Sequence, residues 1–218
     1  MFSMPAPTPK VRVTISLAKE TADQIDQLVD GLKIRNRSHA IETILNEGLQ
    51  LNQVKHAVIL AGGDHAQRRI PAITSALKLL RSEGIFNVTV ALGYLGESIR
   101  AELRKGEKYG VNIEYIQSEL GTAGALYELR NTFKSTFLVV NLDKPASLKL
   151  SNLLKFHREH QPLATIATKS LQDLKGIYAF EPGIFKFIPD GFSMLEESVF
   201  HELTKQGKLL PYPILSEP

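Results

Sequence analysis

The sequence lacks cysteine and tryptophan altogether, and its net charge at pH 7 is only +3 over 218 residues. Without thiols the chain cannot form a disulfide, a thiolate zinc site or a cysteine nucleophile. The small charge predicts only modest non-specific affinity for nucleic acids. Long hydrophobic runs are also missing, because no apolar stretch reaches the roughly 18 residues that a membrane-spanning helix needs. These absences exclude a disulfide-stapled secreted domain and a membrane-spanning protein.

The length favours two domains, since 218 residues exceed one typical domain of about 150 residues. Residues 1–9 contain Pro5, Pro7 and Pro9 and are predicted to form a flexible, extended tail. Because this start lacks the apolar segment of a signal peptide, we expect a cytoplasmic protein.

Residues 11–17 alternate strictly between apolar and polar side chains. The apolar face holds Val11, Val13, Ile15 and Leu17, and the polar face holds Arg12, Thr14 and Ser16. Period-two alternation of β-branched residues predicts a half-buried strand. Its exposed face carries a guanidinium and two hydroxyl groups, which are able to reach base edges in the major groove of DNA.

Two amphipathic helices are predicted to follow this strand. The apolar positions of the first helix recur at Ala22, Ile25, Leu28, Val29 and Leu32. Asn36 is a suitable N-cap for the second helix, and Arg37 and Ser38 follow it in the first turn.

The order strand, helix, N-R-S loop and helix over residues 10–51 resembles the ribbon-helix-helix family of repressors. In that family two chains pair their strands into a ribbon that enters the major groove, and the second helix binds a phosphate at its N-terminus. The resemblance implies a homodimer or higher homo-oligomer on an inverted-repeat operator in double-stranded DNA. The implied DNA contacts are Arg12, Thr14, Ser16, Arg37 and Ser38. The alternative is a dimerisation arm whose polar face is only solvated.

From His56 onward, strand patterns alternate with helix patterns. Strands are predicted at 56–61, 87–92, 111–117, 136–141 and 164–168, and helices at 73–83, 97–104, 123–132 and 150–160. This alternation predicts a Rossmann-like α/β domain with a mostly parallel sheet over residues 56–218. Ligands of such sheets bind at the carboxyl ends of the strands.

Three segments after predicted strands resemble the sugar-phosphate nucleotidyltransferases, which join a nucleoside triphosphate to a sugar 1-phosphate. They are LAGG at 60–63, QSELGTAGAL at 117–126 and Asn141-Leu142-Asp143. The resemblance implies a nucleotide or sugar-nucleotide ligand contacted by Gly62, Gly63, Gln117, Gly121 and Asp143. It also implies that Asp143 binds a Mg²⁺ ion accompanying the nucleotide. Alternatively, the glycines serve only tight strand-to-helix turns, and Asp143 serves its loop or caps a helix.

The chain departs from the family directly after LAGG. The family continues as x-G-T-R-L, a loop that holds the triphosphate, and then with a lysine, whereas here Asp64, His65 and Ala66 follow and most of the loop is missing. Phosphoryl transfer depends on positioning and cationic stabilisation, and each lost contact is worth about 2–4 kcal/mol. Arg68 or Arg69 could replace one of the lost charges, but Asp64 places a negative group beside the expected phosphates. The pairs Arg68-Arg69 and Glu196-Glu197 are interpreted as surface charge. His157 and His160 are interpreted as a solvated helix end rather than a metal site.

These patterns predict a DNA-binding transcriptional regulator whose large domain is a catalytically degenerate nucleotidyltransferase. That domain would act as a ligand sensor or an oligomerisation surface, without a catalytic residue. One alternative is an active, shortened nucleotidyltransferase that uses its N-terminal arm only to dimerise. A third interpretation is an antitoxin-like or partner-binding scaffold.

Overall fold

The computed structural model describes residues 11–48, 54–62, 66–94, 96–142, 148–168 and 176–214. The chain divides into two compact units, residues 1–53 and 54–218. The predicted tail 1–9 and two predicted nucleotide contacts, Gly63 and Asp143, lie outside the described residues.

The first unit contains two helices, α1 at Lys19–Gln27 and α2 at Arg37–Gly48. The N-cap of α2 is Asn36 as predicted, because its Oδ1 accepts the backbone N–H of His39 at 2.9 Å. The turn between the helices is held by Asp30. Its Oδ1 accepts three successive backbone N–H groups, from Leu32, Lys33 and Ile34.

The strand predicted at residues 11–17 is not formed in the single chain, and its expected pairing with a second copy of the chain stays a prediction. Residues 11–18 have no regular secondary structure, and their side chains are exposed, with Val11 86% exposed. A strand needs a neighbour for its backbone N–H and C=O groups, and no strand of the described residues pairs with this segment. Alternation of side chains therefore did not suffice to form the strand.

Seven strands of the described residues form the sheet of the second unit. They are β1 His56–Ala61, β2 Asn87–Leu92, β3 Asn112–Gln117, β4 Phe137–Asn141, β5 Ala164–Thr168, β6 Ile177–Phe180 and β7 Leu209–Pro213. They lie in the order β3-β2-β1-β4-β6-β5-β7. Among these strands β6 runs antiparallel to both neighbours, while the other pairs are parallel. The predicted mostly parallel α/β fold is confirmed.

Helices cover both faces of this sheet. They are α3 Ala66–Ser82, α4 Glu97–Leu103, α5 Gly121–Glu128, α6 Leu150–His160 and α7 Phe200–Lys205. One core cluster includes residues of α3, α4 and α6, and the other includes residues of α5 and α7. None of the helices within the described ranges combines the length and apolar character that crossing a membrane requires.

Burial on both faces explains the composition of the central strands. β1 has the sequence HAVILA, and five of its six residues are buried. Ile59 points into one core cluster and Leu60 into the other, as alternation along a strand requires. The outermost strand β7 instead contains Pro211 and Pro213, which an edge strand tolerates because their missing N–H groups need no ladder partner.

Candidate functional site

A cavity of about 520 Å³ opens at the carboxyl edge of the sheet. Leu60 and Gly62 come from the end of β1, and Leu92, Gly93 and Tyr94 come from the end of β2. Its other walls are formed by Ser118, Glu119, Gly121, Thr122 and Ala125 after β3, Asn141 at the end of β4, Arg69 of α3, and Phe192 and Met194 before α7. A cavity of this size accommodates a small-molecule ligand.

The LGTAG turn after β3 is held in place by residues 193–195. The Leu120 carbonyl accepts the Ser193 N–H at 2.8 Å, and the Ser193 carbonyl accepts the Ala123 N–H at 3.0 Å. The Thr122 hydroxyl oxygen accepts the Leu195 N–H at 2.9 Å. A segment about 70 residues downstream therefore fixes the cavity wall that the sequence motif forms.

The two described glycines among the predicted nucleotide contacts have different reasons to be glycine. Gly121 has a positive φ of 76°, and an added Cβ would collide with the Ser193 carbonyl oxygen. At Gly62 the nearest atom of the described residues to an added Cβ would be the Gly93 nitrogen, at 3.9 Å. The fold thus requires glycine at 121, whereas at 62 the described residues leave room for a side chain.

Arg69 brings a positive charge to the cavity. It lies in the first turn of α3, is partly buried and lines the cavity wall. Its interpretation as surface charge is therefore wrong. The described cavity wall therefore includes a cationic side chain from the first turn of the helix that follows β1.

A second polar group lies at the end of β4. The side-chain amide of Asn141 donates to Glu196 Oε1 at 3.1 Å, and the Tyr178 hydroxyl lies 3.5 Å from the same oxygen. Burial, reinforced by the charge of Glu196, raises the pKa of the Tyr178 hydroxyl. Glu196 is thus partly buried beside a cavity-lining residue, and its interpretation as surface charge is also wrong.

The predicted nucleotide contacts are only partly brought together. Gly62 and Gly121 line the cavity, whereas Gln117, the last residue of β3, is exposed and is not part of its described lining. Asp143 lies outside the described residues, two positions after Asn141. Within the described ranges, no group of three or more acidic, histidine or cysteine side chains could hold a metal ion.

The predicted DNA contacts all lie in the first unit. Arg12, Thr14, Ser16 and Ser38 are exposed. The guanidinium of Arg37 pairs with the Asp26 carboxylate, and its Nε donates to Asp26 Oδ1 at 2.6 Å. This hydrogen bond lowers the pKa of Asp26 and raises that of Arg37. Arg37 therefore joins α1 to α2, a role that the sequence pattern did not show.

The opposite, amino edge of the sheet holds a closed polar network. His157 is 2% exposed, and its two ring nitrogens contact the Thr165 hydroxyl at 2.7 Å and Glu181 Oε1 at 3.1 Å. The Thr136 hydroxyl donates to the same Glu181 oxygen at 2.6 Å. The hydrogen bond from His157 is the main cause that lowers the pKa of Glu181. His157 is therefore a buried structural residue rather than a solvated helix end.

A sequence profile of the Nucleotidyl transferase family matches residues 65–175, which is half of the chain. The chain belongs to this family. It is 28% identical over 191 residues to a UTP–glucose-1-phosphate uridylyltransferase of Synechocystis, covering 65% of this chain and 49% of that protein. It is 24% identical over 200 residues to a mannose-1-phosphate guanylyltransferase of Mycobacterium tuberculosis, covering 69% of this chain and 56% of that protein. The chain spans about half the length of these curated relatives.

Solved structures share the fold at low sequence identity. HddC from Yersinia pseudotuberculosis has a TM-score of 0.61 at 16% identity, covering 73% of this chain and 90% of that chain. UDP-glucose pyrophosphorylase complexed with UDP-glucose has a TM-score of 0.54 at 13% identity, covering 74% of this chain and 90% of that chain.

These findings correct the functional prediction. A DNA-binding transcriptional regulator with a degenerate, ligand-sensing domain and a double-stranded DNA partner is contradicted, because the matched relatives are named as nucleotidyl-transferring enzymes. The family match lies outside residues 10–51, and none of these findings supports a ribbon-helix-helix module there. The error came from treating the missing loop after LAGG as decisive, although Arg69 lines the cavity.

Proposed function

We propose that residues 54–218 bind a nucleoside triphosphate and transfer its nucleotidyl group to a sugar 1-phosphate. A phosphate oxygen of the sugar would form a bond to the α-phosphorus, and the bond between the α-phosphorus and the bridging oxygen would break to release pyrophosphate. The observation that carries this proposal is that the ends of β1, β2 and β4 and the LGTAG turn converge on one cavity. The substrate class is the one for which the uridylyltransferase and guanylyltransferase relatives are named.

Arg69 and Gly62 are the cavity residues best suited to the phosphates. A guanidinium binds phosphate oxygens through paired, charge-assisted hydrogen bonds. A glycine permits close approach of a ligand to the backbone, and the described residues leave room for a ligand beside Gly62. We therefore assign the triphosphate to the side of the cavity where β1 ends and α3 begins.

We propose magnesium as the cofactor of this nucleotidyl transfer. Mg²⁺ is bound in such sites by one or two carboxylates together with substrate phosphates, and it neutralises their developing charge. The partly buried Glu196 accepts a hydrogen bond from Asn141 at the end of β4, so one carboxylate already lies beside the end of this strand. We propose that Asp143, two residues farther along the chain, holds the ion.

The test is pyrophosphate release by the purified 218-residue chain with UTP or GTP, Mg²⁺, and glucose 1-phosphate or mannose 1-phosphate. We expect turnover with at least one pair, and a loss of at least roughly 100-fold in Asp143→Asn because transition-state charge would lose its support. Glu159→Gln, an exposed carboxylate on α6, is the matched control and should retain activity. Absence of release with every pair, or release unchanged in Asp143→Asn, would contradict the proposal.

A further inference from the structure

Two large aromatic side chains stand exposed on the same cavity. Tyr94 is 79% exposed and Phe192 is 71% exposed, and both line the cavity wall. Single exposed apolar side chains are ordinary, but apolar rings gathered at a concave, polar-rimmed surface mark a place where a ligand binds. Buried aromatic rings in this unit instead pack against each other, as Phe137 does against Phe133 at 4.2 Å between ring centroids.

Both rings lie on the β3 side of the cavity. Tyr94 is two residues beyond β2, the immediate neighbour of β3. Phe192 precedes Ser193, whose N–H binds the Leu120 carbonyl just after β3. In contrast, Asn141 ends β4. In the order β3-β2-β1-β4, three strand spacings of about 4.8 Å separate the ends of β3 and β4, or about 14 Å. The cavity thus has an aromatic end and a polar end.

The two charged side chains of the described cavity lining also follow different strands. Of the described lining residues, Arg69 carries the positive charge and follows β1, whereas Glu119 carries the negative charge and follows β3. A phosphate group is repelled by Glu119 and attracted by Arg69. A nucleobase has two flat faces for stacking and edge N–H groups that a carboxylate accepts. The aromatic end therefore suits a base and disfavours a phosphate.

We propose that Tyr94 and Phe192 form a clamp that stacks on the base of the bound nucleotide. This proposal rests on the proposed function, since it adds two side chains to the site that would hold the nucleotide. The clamp makes these two side chains binding residues for the base rather than for the sugar 1-phosphate.

The test is calorimetric titration of the full chain with GMP, UMP and glucose 1-phosphate. Tyr94→Ala and Phe192→Ala should each weaken binding of a nucleoside monophosphate by at least roughly fivefold, the lower end of measured base-stacking losses. Tyr94→Phe keeps the ring face and should stay within about twofold of the wild type. Phe86→Ala is the matched control, because Phe86 is 52% exposed and precedes β2, at the other end of that strand from Tyr94.

The outcomes separate the clamp from the proposed function. Thermal unfolding should be unchanged in these variants, because the substituted rings are exposed. If the wild type binds a nucleotide and both alanine variants bind it equally well, the clamp is wrong and the proposed function stands. If affinity falls only for glucose 1-phosphate, the rings contact sugar and the assignment to the base is wrong. If the wild type binds neither GMP nor UMP, the clamp is wrong, and pyrophosphate release from UTP or GTP decides the proposed function separately.

Discussion

The carboxyl and amino edges of the sheet both gather polar side chains but use them differently. At the amino edge, Thr136, His157, Thr165 and Glu181 bind one another in a closed network. At the carboxyl edge, Arg69 and Glu119 line an open cavity. Polar groups that satisfy each other contribute to stability, whereas polar groups that line a cavity are placed to contact a ligand. The difference separates a structural histidine from candidate binding residues without reference to conservation.

The largest expected effect concerns Arg69 at the carboxyl edge. Arg69→Ala should lower kcat/KM for pyrophosphate release by about 100-fold, since a cation at a transferring phosphate is typically worth 2–4 kcal/mol. The matched control is Lys78→Ala, an exposed basic residue on the same helix. Equal losses in both variants would show that Arg69 acts through the stability of α3 rather than on the substrate.

Gly62 and Gly121 allow ligand contact to be separated from structural support within the cavity itself. Gly62→Ala should reduce activity by about tenfold, because its methyl group would occupy space left for the ligand, while the melting temperature should not change. Gly121→Ala should instead destabilise the fold by about 1–3 kcal/mol, because it combines a positive φ with a backbone clash. Chemical denaturation beside the activity assay checks both variants. A destabilised Gly62→Ala would contradict the distinction.

A smaller effect is expected at the amino edge. Thr136→Val removes the hydroxyl donor to Glu181 at nearly constant volume and should lower the free energy of unfolding by about 1 kcal/mol. Because the network lies at the edge opposite the cavity, kcat/KM should not change. An activity loss without a stability loss would contradict this account, because it would show that the amino edge takes part in catalysis.

The smallest expected effect is the acid dependence of stability. The hydrogen bond from His157 lowers the pKa of Glu181 below its ordinary value of 4.5. The stabilisation is therefore present above pH 4.5 and is lost as the pH falls through the folded-state pKa. Since the Glu181 side chain is 38% exposed, solvent limits the effect. Urea unfolding at several pH values should show less acid sensitivity in Glu181→Gln than in the wild type.

Much of the sheet could be predicted from the sequence because parallel strands buried on both faces are continuous apolar runs. The predicted bounds of β1, β2 and β5 and of α6 agree with the structure. β6 and β7 were missed because β6 has only four residues and β7 contains two prolines. At residues 11–17 a strand was predicted but is not formed, because this segment has no partner strand in the described chain.

The candidate site could be predicted only where its residues are close in sequence. LAGG and LGTAG are local motifs, so Gly62 and Gly121 were found. The segment that contains Phe192 is joined to the site by the hydrogen bond between Leu195 and Thr122, and Glu196 by its hydrogen bond with Asn141. These bonds span 73 and 55 residues, and no local pattern reveals such contacts. Arg69 was misread because its helix begins earlier than the predicted residue 73, at Ala66.

The comparison between the two edges is tested most directly by amide hydrogen exchange of the full chain with and without UTP or GTP in the presence of Mg²⁺. Our account predicts that nucleotide slows exchange at residues 60–62, 93–94 and 118–124, around the cavity, and leaves residues 157 and 177–181 unchanged. Protection confined to the amino edge, or no protection at the cavity with either nucleotide, would contradict it.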